Sequence, residues 1–137
     1  MKLAYLSSVF YNLHPKDKYP EMLHKEERPY ICLTVEVDGR DYAIPIRHHV
    51  SHKYGFNTIG ERGLDYTKAV LIESESYISG DAPIIDTVEW RKIQMNKNLI
   101  YTGFSKYLRD YKHALAHRAH LRNDNIIKYS ALQYFEI

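Results

Sequence analysis

Five side chains that can carry a positive charge lie within seven residues, in the run Arg47-His48-His49-Val50-Ser51-His52-Lys53. Imidazole titrates at about pH 6.5, so one histidine can accept a proton while another donates one at neutral pH. Arginine and lysine can hold the charge that develops on a reacting phosphate. This set suits RNA cleavage by the RNA's own 2′-hydroxyl, with His48, His49 and His52 as base and acid. Arg47 and Lys53 would lie on the phosphate, and no metal or cofactor is required.

The same run supports two other interpretations. It could be a polar surface loop without a chemical role. It could also be a metal site, because His48 and His52 are four residues apart and would share one side of a helix. The carboxylates Glu61 and Asp65 follow only later in the chain. Residue types and spacing alone therefore leave acid–base catalysis, metal binding and a surface loop open.

A second group of histidines, His113, His117 and His120, has spacings of four and three and would share one face of a helix. This face could bind zinc, could contact RNA together with neighbouring lysines and arginines, or could simply be solvated. The sequence offers no convincing fourth ligand for a zinc site, so it predicts no metal here.

The charge of the chain is unevenly distributed. Residues 1–90 contain 10 Lys/Arg and 14 Asp/Glu, a net charge of −4, whereas residues 91–137 contain 9 and 3, a net charge of +6. A basic C-terminal third indicates a polyanionic partner, although a solvated helix face has the same composition. The predicted RNA contacts on this face are Lys106, Arg109, Lys112 and Arg118.

Composition also bears on the compartment. The one cysteine, Cys32, cannot form an intrachain disulfide, which suits a reducing cytoplasm and a role in the core. No apolar run reaches the roughly 20 residues of a membrane span, and the first ten residues lack the pattern of a signal peptide. We therefore expect a cytoplasmic protein without a membrane partner.

A β-hairpin is predicted directly before the cationic run. Over residues 30–46, apolar and polar residues alternate on both sides of Asp38-Gly39, a favourable two-residue turn. Pro45 cannot donate to a strand ladder, so the second strand should end there or lie at an edge of the sheet. A rigid hairpin is the kind of scaffold that positions a functional loop.

The other elements give the fold class. Strands are predicted at residues 2–9 and 69–73, the latter after a turn at 63–65, and a loop at 13–27. A helix should begin at Asp86 or Thr87 and run to about 96, followed by a longer helix over roughly 97–122, while residues 126–135 are ambiguous. Strands followed by helices indicate an α+β fold, here with one domain covering residues 1–137.

Two stretches, residues 42–56 (YAIPIRHHVSHKYGF) and 63–72 (GLDYTKAVLI), resemble the type III toxin–antitoxin toxins of the ToxN/AbiQ-like superfamily. The likeness is greatest to the TenpN branch, and CptN is related. The strand at 2–8, the hairpin at 30–46 and the helical segment from Asn98 onward also follow one another in the same order as in ToxN.

The resemblance implies a highly curved antiparallel sheet, a partly open barrel akin to the Kid/MazF fold, with helices around it. It implies a sequence-preferring, metal-independent endoribonuclease, for which we expect cellular or phage RNA as the substrate. The 2′-hydroxyl chemistry expected of the cationic run would leave a 2′,3′-cyclic phosphate. The resemblance also implies inhibition by a pseudoknotted antitoxin RNA, which the toxin cuts from a tandem-repeat precursor and binds in a closed RNA–protein assembly.

The resemblance also suggests individual site residues. Arg28 takes the place of a lysine before the first hairpin strand, and Tyr11 that of a tyrosine that contacts RNA. Lys53 corresponds to the lysine of a Thr-Ser-x-Lys stretch, whose Thr and Ser are replaced here by residues of the cationic run. We also expect Thr58 to bond a phosphate or a base. Two alternatives remain: an RNA-binding module without catalysis, and a metal-dependent hydrolase built on the histidines.

Overall fold

The structure is a computed structural model and describes residues 1–24 and 29–137. Arg28, one of the predicted site residues, lies outside these residues. The described residues form one antiparallel sheet of six strands and four α-helices. This confirms the α+β class. The sheet is not closed, and its path runs in the order β1, β2, β3, β5, β4, with β6 beside β3.

The predicted hairpin forms the centre of the sheet. Its strands are β2 (Ile31–Val37) and β3 (Arg40–Arg47), and β1 (Lys2–Tyr5) pairs with the other edge of β2. Asp38 and Gly39 turn the chain with positive φ angles of 52° and 77°, as a tight hairpin turn requires. The alternation of apolar and polar residues in the sequence therefore corresponds to the antiparallel pairing of β2 with β3.

Strand β3 does not end at Pro45, and the expectation of an edge there holds only locally, because the register of the described residues gives Pro45 no partner on the second side of β3. Strand β3 continues to Arg47, and its second edge is shared by two partners, so it is not at the edge of the sheet. Strand β6 (Val70–Leu71) pairs with Tyr42 and Ala43, and β5 (Arg62–Asp65) pairs with Ile46 and Arg47. Pro45 lies between the two partners, where a residue without an amide hydrogen breaks no pairing.

Strand β5 also corrects the predicted turn at residues 63–65. It forms a second hairpin with β4 (Gly55–Ile59), and Gly60 supplies the positive φ of 56° at the turn. The strand predicted at residues 69–73 is reduced to the two residues of β6. The cationic run thus leaves one hairpin and enters another, so both of its ends are held by the sheet.

The helices surround this sheet. They are α1 (Ser8–Leu13), α2 (Thr87–Met95), α3 (Lys97–Ala116) and α4 (Leu121–Lys128). Helix α1 replaces the end of the strand predicted at residues 2–9, because the Ser7 hydroxyl accepts from the amide of Phe10 and caps a helix. Asp86 caps α2 as predicted. Helix α3 ends before residue 122, because residues 116–122 are all exposed and offer no apolar face. No helix of the described residues is long and apolar enough to cross a membrane.

Both faces of the sheet are covered. On one face, buried side chains of β2 and β3 pack against the apolar stripe of α3, which contains Ile100, Phe104, Tyr107, Leu108 and Tyr111. On the other face, Cys32 and Ala43 pack against Phe10 and Tyr11 of α1. Burial raises the pKa of the Cys32 thiol to about 12, which fits its interpretation as a core residue.

Substitution Gly63→Ala tests the close approach of β4 and β5. A Cβ at Gly63 would lie against the carbonyl oxygen of Phe56 and 2.8 Å from the Cα of Asn57, both backbone atoms of the paired strand. We expect a loss of about 1–3 kcal/mol in the free energy of unfolding, measured by urea denaturation. In the matched control Gly80→Ala, the new Cβ has no atom within 4 Å, so equal losses in both variants would contradict the prediction.

Candidate functional site

Residues 47–53, called the cationic loop from here on, connect β3 to the β4–β5 hairpin and are pinned to its turn. The amide of Val50 donates to the carbonyl oxygen of Glu61 at 2.8 Å, and the Asn57 side chain donates to the carbonyl oxygen of Val50 at 2.9 Å. Val50 itself is buried. These contacts fix the middle of the loop, so the side chains on either side of Val50 are presented from a braced backbone.

The carboxylate of Asp65 holds both ends of the cationic loop. Asp65 is fully buried, and its Oδ2 accepts from Nη1 of Arg47 at 2.8 Å. Its Oδ1 lies 3.1 Å from Nε2 of His52 and accepts from the amide and hydroxyl of Thr67 at 3.0 and 2.6 Å. A buried carboxylate is tolerated only when it is paired and hydrogen-bonded. The burial of Asp65 therefore requires Arg47 and His52 to stay in place.

Both ring nitrogens of His52 are engaged. The amide of Tyr54 lies 3.2 Å from Nδ1 and can only donate, so Nδ1 must accept. The proton of the neutral ring is then on Nε2, which donates to Asp65. His52 is thereby oriented as a fixed link between the loop and the sheet.

The imidazoles of His48 and His49 are exposed. The Nδ1 atom of one faces an arginine, and the Nδ1 atom of the other faces a glutamate. Nδ1 of His49 lies 2.7 Å from Oε2 of Glu61, an acceptor that favours a proton on Nδ1 and leaves Nε2 as a lone-pair acceptor. Nδ1 of His48 lies 3.5 Å from Nη1 of Arg62, a donor that favours a proton on Nε2 instead. When both rings are neutral, these contacts favour opposite tautomers for the two histidines.

Arg62, which is partly exposed, pairs with a second buried carboxylate, that of Glu89. Its Nε donates to both carboxylate oxygens of Glu89 at 3.0 Å, and the Thr58 hydroxyl donates to the same carboxylate at 2.5 Å. Glu89 on α2 and Thr58 on β4 are both buried. This pair attaches α2 to the β4–β5 hairpin. The Thr58 side chain is buried in this pair, so its position does not support the predicted contact with RNA.

On the other side of the cationic loop, Tyr54 connects the loop to α3. Its hydroxyl donates to Asp110 at 3.0 Å, and Lys106 donates to the same carboxylate at 2.8 Å, while Nζ of Lys53 lies 4.9 Å from the centre of the Tyr54 ring. Burial and the hydrogen bond to Asp110 raise the pKa of Tyr54 to about 12, so the phenol stays neutral. Burial alone would raise the pKa of Asp110, but Lys106, Tyr54 and Lys53 together hold it below its usual value.

The remaining predicted RNA contacts are dispersed. Arg109 and Lys112 are exposed on α3, but Arg118 follows the end of that helix. Tyr11 is buried beside Cys32, and its pKa is raised by burial, by Cys32 and by Tyr30, although a backbone hydrogen bond at Tyr30 lowers it. Its side chain is therefore part of the core rather than presented to a ligand.

The second histidine group is divided. The rings of His113 and His117 stack with centroids 4.2 Å apart, whereas His120 precedes α4 as its N-cap. Within residues 1–24 and 29–137, no three or more His, Cys, Asp or Glu side chains are placed together so as to hold a metal ion. The zinc face considered from the spacing is therefore not assembled.

The structure brings Arg47 and His52 together on one carboxylate and places His48 and His49 on separate partners. The sequence interpretation missed Asp65, Arg62 and Glu89. A charged residue inside a short β-strand or on the buried side of a helix is the signal that could have indicated Asp65 and Glu89.

Comparisons with protein-family models, curated proteins and solved structures find no match to this chain, so the resemblance of residues 42–72 remains an expectation.

Substitution Asp65→Asn tests the link between the sheet and the loop. The neutral amide keeps the shape but cannot balance Arg47, and its NH2 group meets donors where acceptors are needed. We expect about 1–3 kcal/mol of destabilisation in urea unfolding. The control Asp124→Asn removes an exposed carboxylate from α4 and should stay within about 0.5 kcal/mol. An equally small effect at Asp65 would show that the loop does not depend on it.

The lowered pKa of Asp110 predicts a pH dependence of stability. Because the pKa in the folded state lies below the ordinary value of 3.8, the contribution of Asp110 is complete above that value. It is lost as the pH falls through the folded-state pKa. Asp110→Asn should therefore destabilise the protein more at about pH 7 than at about pH 2. Urea unfolding at both pH values measures the difference, and a pH-independent effect would contradict it.

Proposed function

We propose that this protein is a metal-independent endoribonuclease, the toxin of a type III toxin–antitoxin pair. The observation that supports this most strongly is the opposite engagement of two adjacent exposed imidazoles. His49 is oriented by Glu61 with Nε2 as a proton acceptor, and His48 is oriented by Arg62 with Nε2 carrying the proton. A braced loop that carries two successive exposed imidazoles can supply the base and, once His48 is protonated, the acid that cleavage by a 2′-hydroxyl requires.

In the proposed reaction, Nε2 of His49 takes the proton of the ribose 2′-hydroxyl. The 2′ oxygen forms a bond to phosphorus, and the bond from phosphorus to the 5′ oxygen breaks. His48 enters as the imidazolium, protonated on both ring nitrogens and released from its contact with Arg62. It gives its Nε2 proton to the leaving 5′ oxygen and ends as the neutral ring. The products are a 2′,3′-cyclic phosphate and a 5′-hydroxyl, and no outside reactant is needed.

Two cations are suited to the charge of the phosphorane. Arg47 has its position fixed by one hydrogen bond to Asp65 and retains further guanidinium donors. Lys53 is exposed, and among the described residues no carboxylate lies within ion-pair distance of its ammonium group. His52 acts as a positioning residue in this proposal, because both of its nitrogens are already engaged.

The proposed inhibitor is the antitoxin RNA of pseudoknot repeats, held in a closed assembly with the toxin in the cytoplasm. The exposed cations on and after α3, which are Lys106, Arg109, Lys112 and Arg118, offer a basic surface for its phosphates. Binding that depends on such phosphate contacts should weaken steeply with salt. Cellular or phage RNA would be the substrate once the antitoxin is lost.

The activity is tested with purified protein and a long single-stranded RNA of mixed sequence in EDTA. Wild type should cut the RNA and leave 2′,3′-cyclic phosphate and 5′-hydroxyl ends. His48→Ala and His49→Ala should each lower the rate by about 10²–10⁴, because each removes one proton-transfer group. His120→Ala, an exposed histidine outside the cationic loop, is the matched control and should leave the rate unchanged.

Two outcomes would contradict the proposal. RNA that is bound but never cut would favour an RNA-binding module, and activity that appears only with an added divalent metal would favour a metal-dependent hydrolase. Circular dichroism and urea unfolding of each variant establish that any lost activity does not come from lost folding.

A further inference from the structure

A cavity of about 350 Å³ lies beside the cationic loop, between the start of β4 and helix α3. Its lining begins with the last residue of the loop and consists of Lys53, Tyr54, Gly55, Phe56, Tyr66, Leu99, Gly103 and Lys106. The volume is at the lower end of the range for small-ligand sites, about 300–1,000 Å³, and suits one nucleotide rather than a duplex.

The lining of the cavity combines aromatic rings with ammonium groups. Nζ of Lys53 and Nζ of Lys106 lie 4.9 and 6.0 Å from the centre of the Tyr54 ring. Tyr54 and Phe56 are both half-buried, so each retains accessible surface. Aromatic faces bind unpaired bases by stacking, and nearby lysines bind the phosphates between them.

Helix α3 contributes Gly103 to the cavity wall, and the absence of a side chain there leaves the cavity open. A Cβ at Gly103 would lie 3.0 Å from the hydroxyl oxygen of Tyr66 and 3.2 Å from its Cε2 atom, so a larger residue would press on the wall of the cavity. Leu99 lies at the rim and is 60% exposed. The cavity is therefore open to solvent on one side and built from fixed core residues on the other.

We propose that this cavity is a nucleotide subsite that holds one unpaired base of a single-stranded RNA next to the phosphate bound at the cationic loop. The base would stack on Tyr54 or Phe56, and Lys53 and Lys106 would contact its flanking phosphates. The inference rests on the proposed function, which it extends by naming how the substrate is held. Because stacking is tolerant of sequence, the subsite would mainly contribute affinity.

Two pairs of variants test the subsite by fluorescence anisotropy. The probe is a labelled, short, mixed-sequence 2′-O-methyl oligoribonucleotide, which cannot be cut because it lacks the attacking hydroxyl. Phe56→Leu removes the aromatic face and should raise the Kd about 5- to 100-fold, the range expected for loss of one stacked base, whereas Phe56→Tyr should not. Leu99→Glu adds a negative charge at the rim and should also raise the Kd. Leu121→Glu changes another exposed leucine, 77% accessible on α4 and outside the cavity, and should leave the Kd unchanged.

Three outcomes would overturn the subsite: no binding by wild type, an unchanged Kd in Phe56→Leu and Leu99→Glu, or equal weakening by the two glutamate variants. RNA cleavage is measured on the same proteins. Cleavage by wild type with no effect of Phe56→Leu or Leu99→Glu on Kd or KM would reject the subsite but not the proposed function. Binding that depends on these residues without any cleavage would reject the nuclease and retain the subsite.

Discussion

The buried carboxylate of Asp65 is the constraint on which the arrangement of the cationic loop depends. A carboxylate without solvent must be neutralised and hydrogen-bonded, or its burial costs several kcal/mol. Arg47 at the end of β3, His52 in the loop and Thr67 after β5 together meet this requirement. Three segments of the chain are thereby fixed to one group. The positions at which the cationic loop leaves the sheet and rejoins it are set by the Asp65 carboxylate, and not by the residue composition of the loop.

Glu89 has the same role on the other side of the β4–β5 hairpin, where it is bonded by Arg62 and Thr58. In both places a buried acid fixes a partly exposed arginine by some of its donors only. A guanidinium has five N–H donors, so Arg47 and Arg62 keep donors that these carboxylates do not use. Such arginines are already ordered before a ligand binds, so less side-chain conformational entropy would be lost when they bind a phosphate. The two acids therefore stabilise the fold and organise positive charge at the same time.

The sequence predicts the parts of this arrangement that depend on local patterns. Alternating residues and Asp38-Gly39 indicate the central hairpin, and Asp86 indicates the start of α2. The β4–β5 hairpin was missed, because Gly55–Ile59 and Arg62–Asp65 are short and mix polar with apolar residues. The partners of the loop were missed for a different reason. Asp65 lies 18 residues from Arg47, and only the antiparallel pairing of β3 with β5 brings the two together.

Acidic and basic side chains are concentrated in different regions of the folded protein, as they are in different parts of the sequence. Four carboxylates, those of Glu36, Asp41, Glu73 and Glu75, line a separate cavity along the β1–β2 side, where Lys2 is the one basic side chain in the lining. At the cationic loop the acids Asp65 and Glu89 are buried and paired, and the exposed Glu61 lies against His49, while Lys53 stays exposed. This group of four carboxylates therefore lies apart from the loop, and exposed cations continue from the loop onto α3. A polyanion would be repelled from the first region and drawn to the second, which gives an RNA one favourable direction of approach.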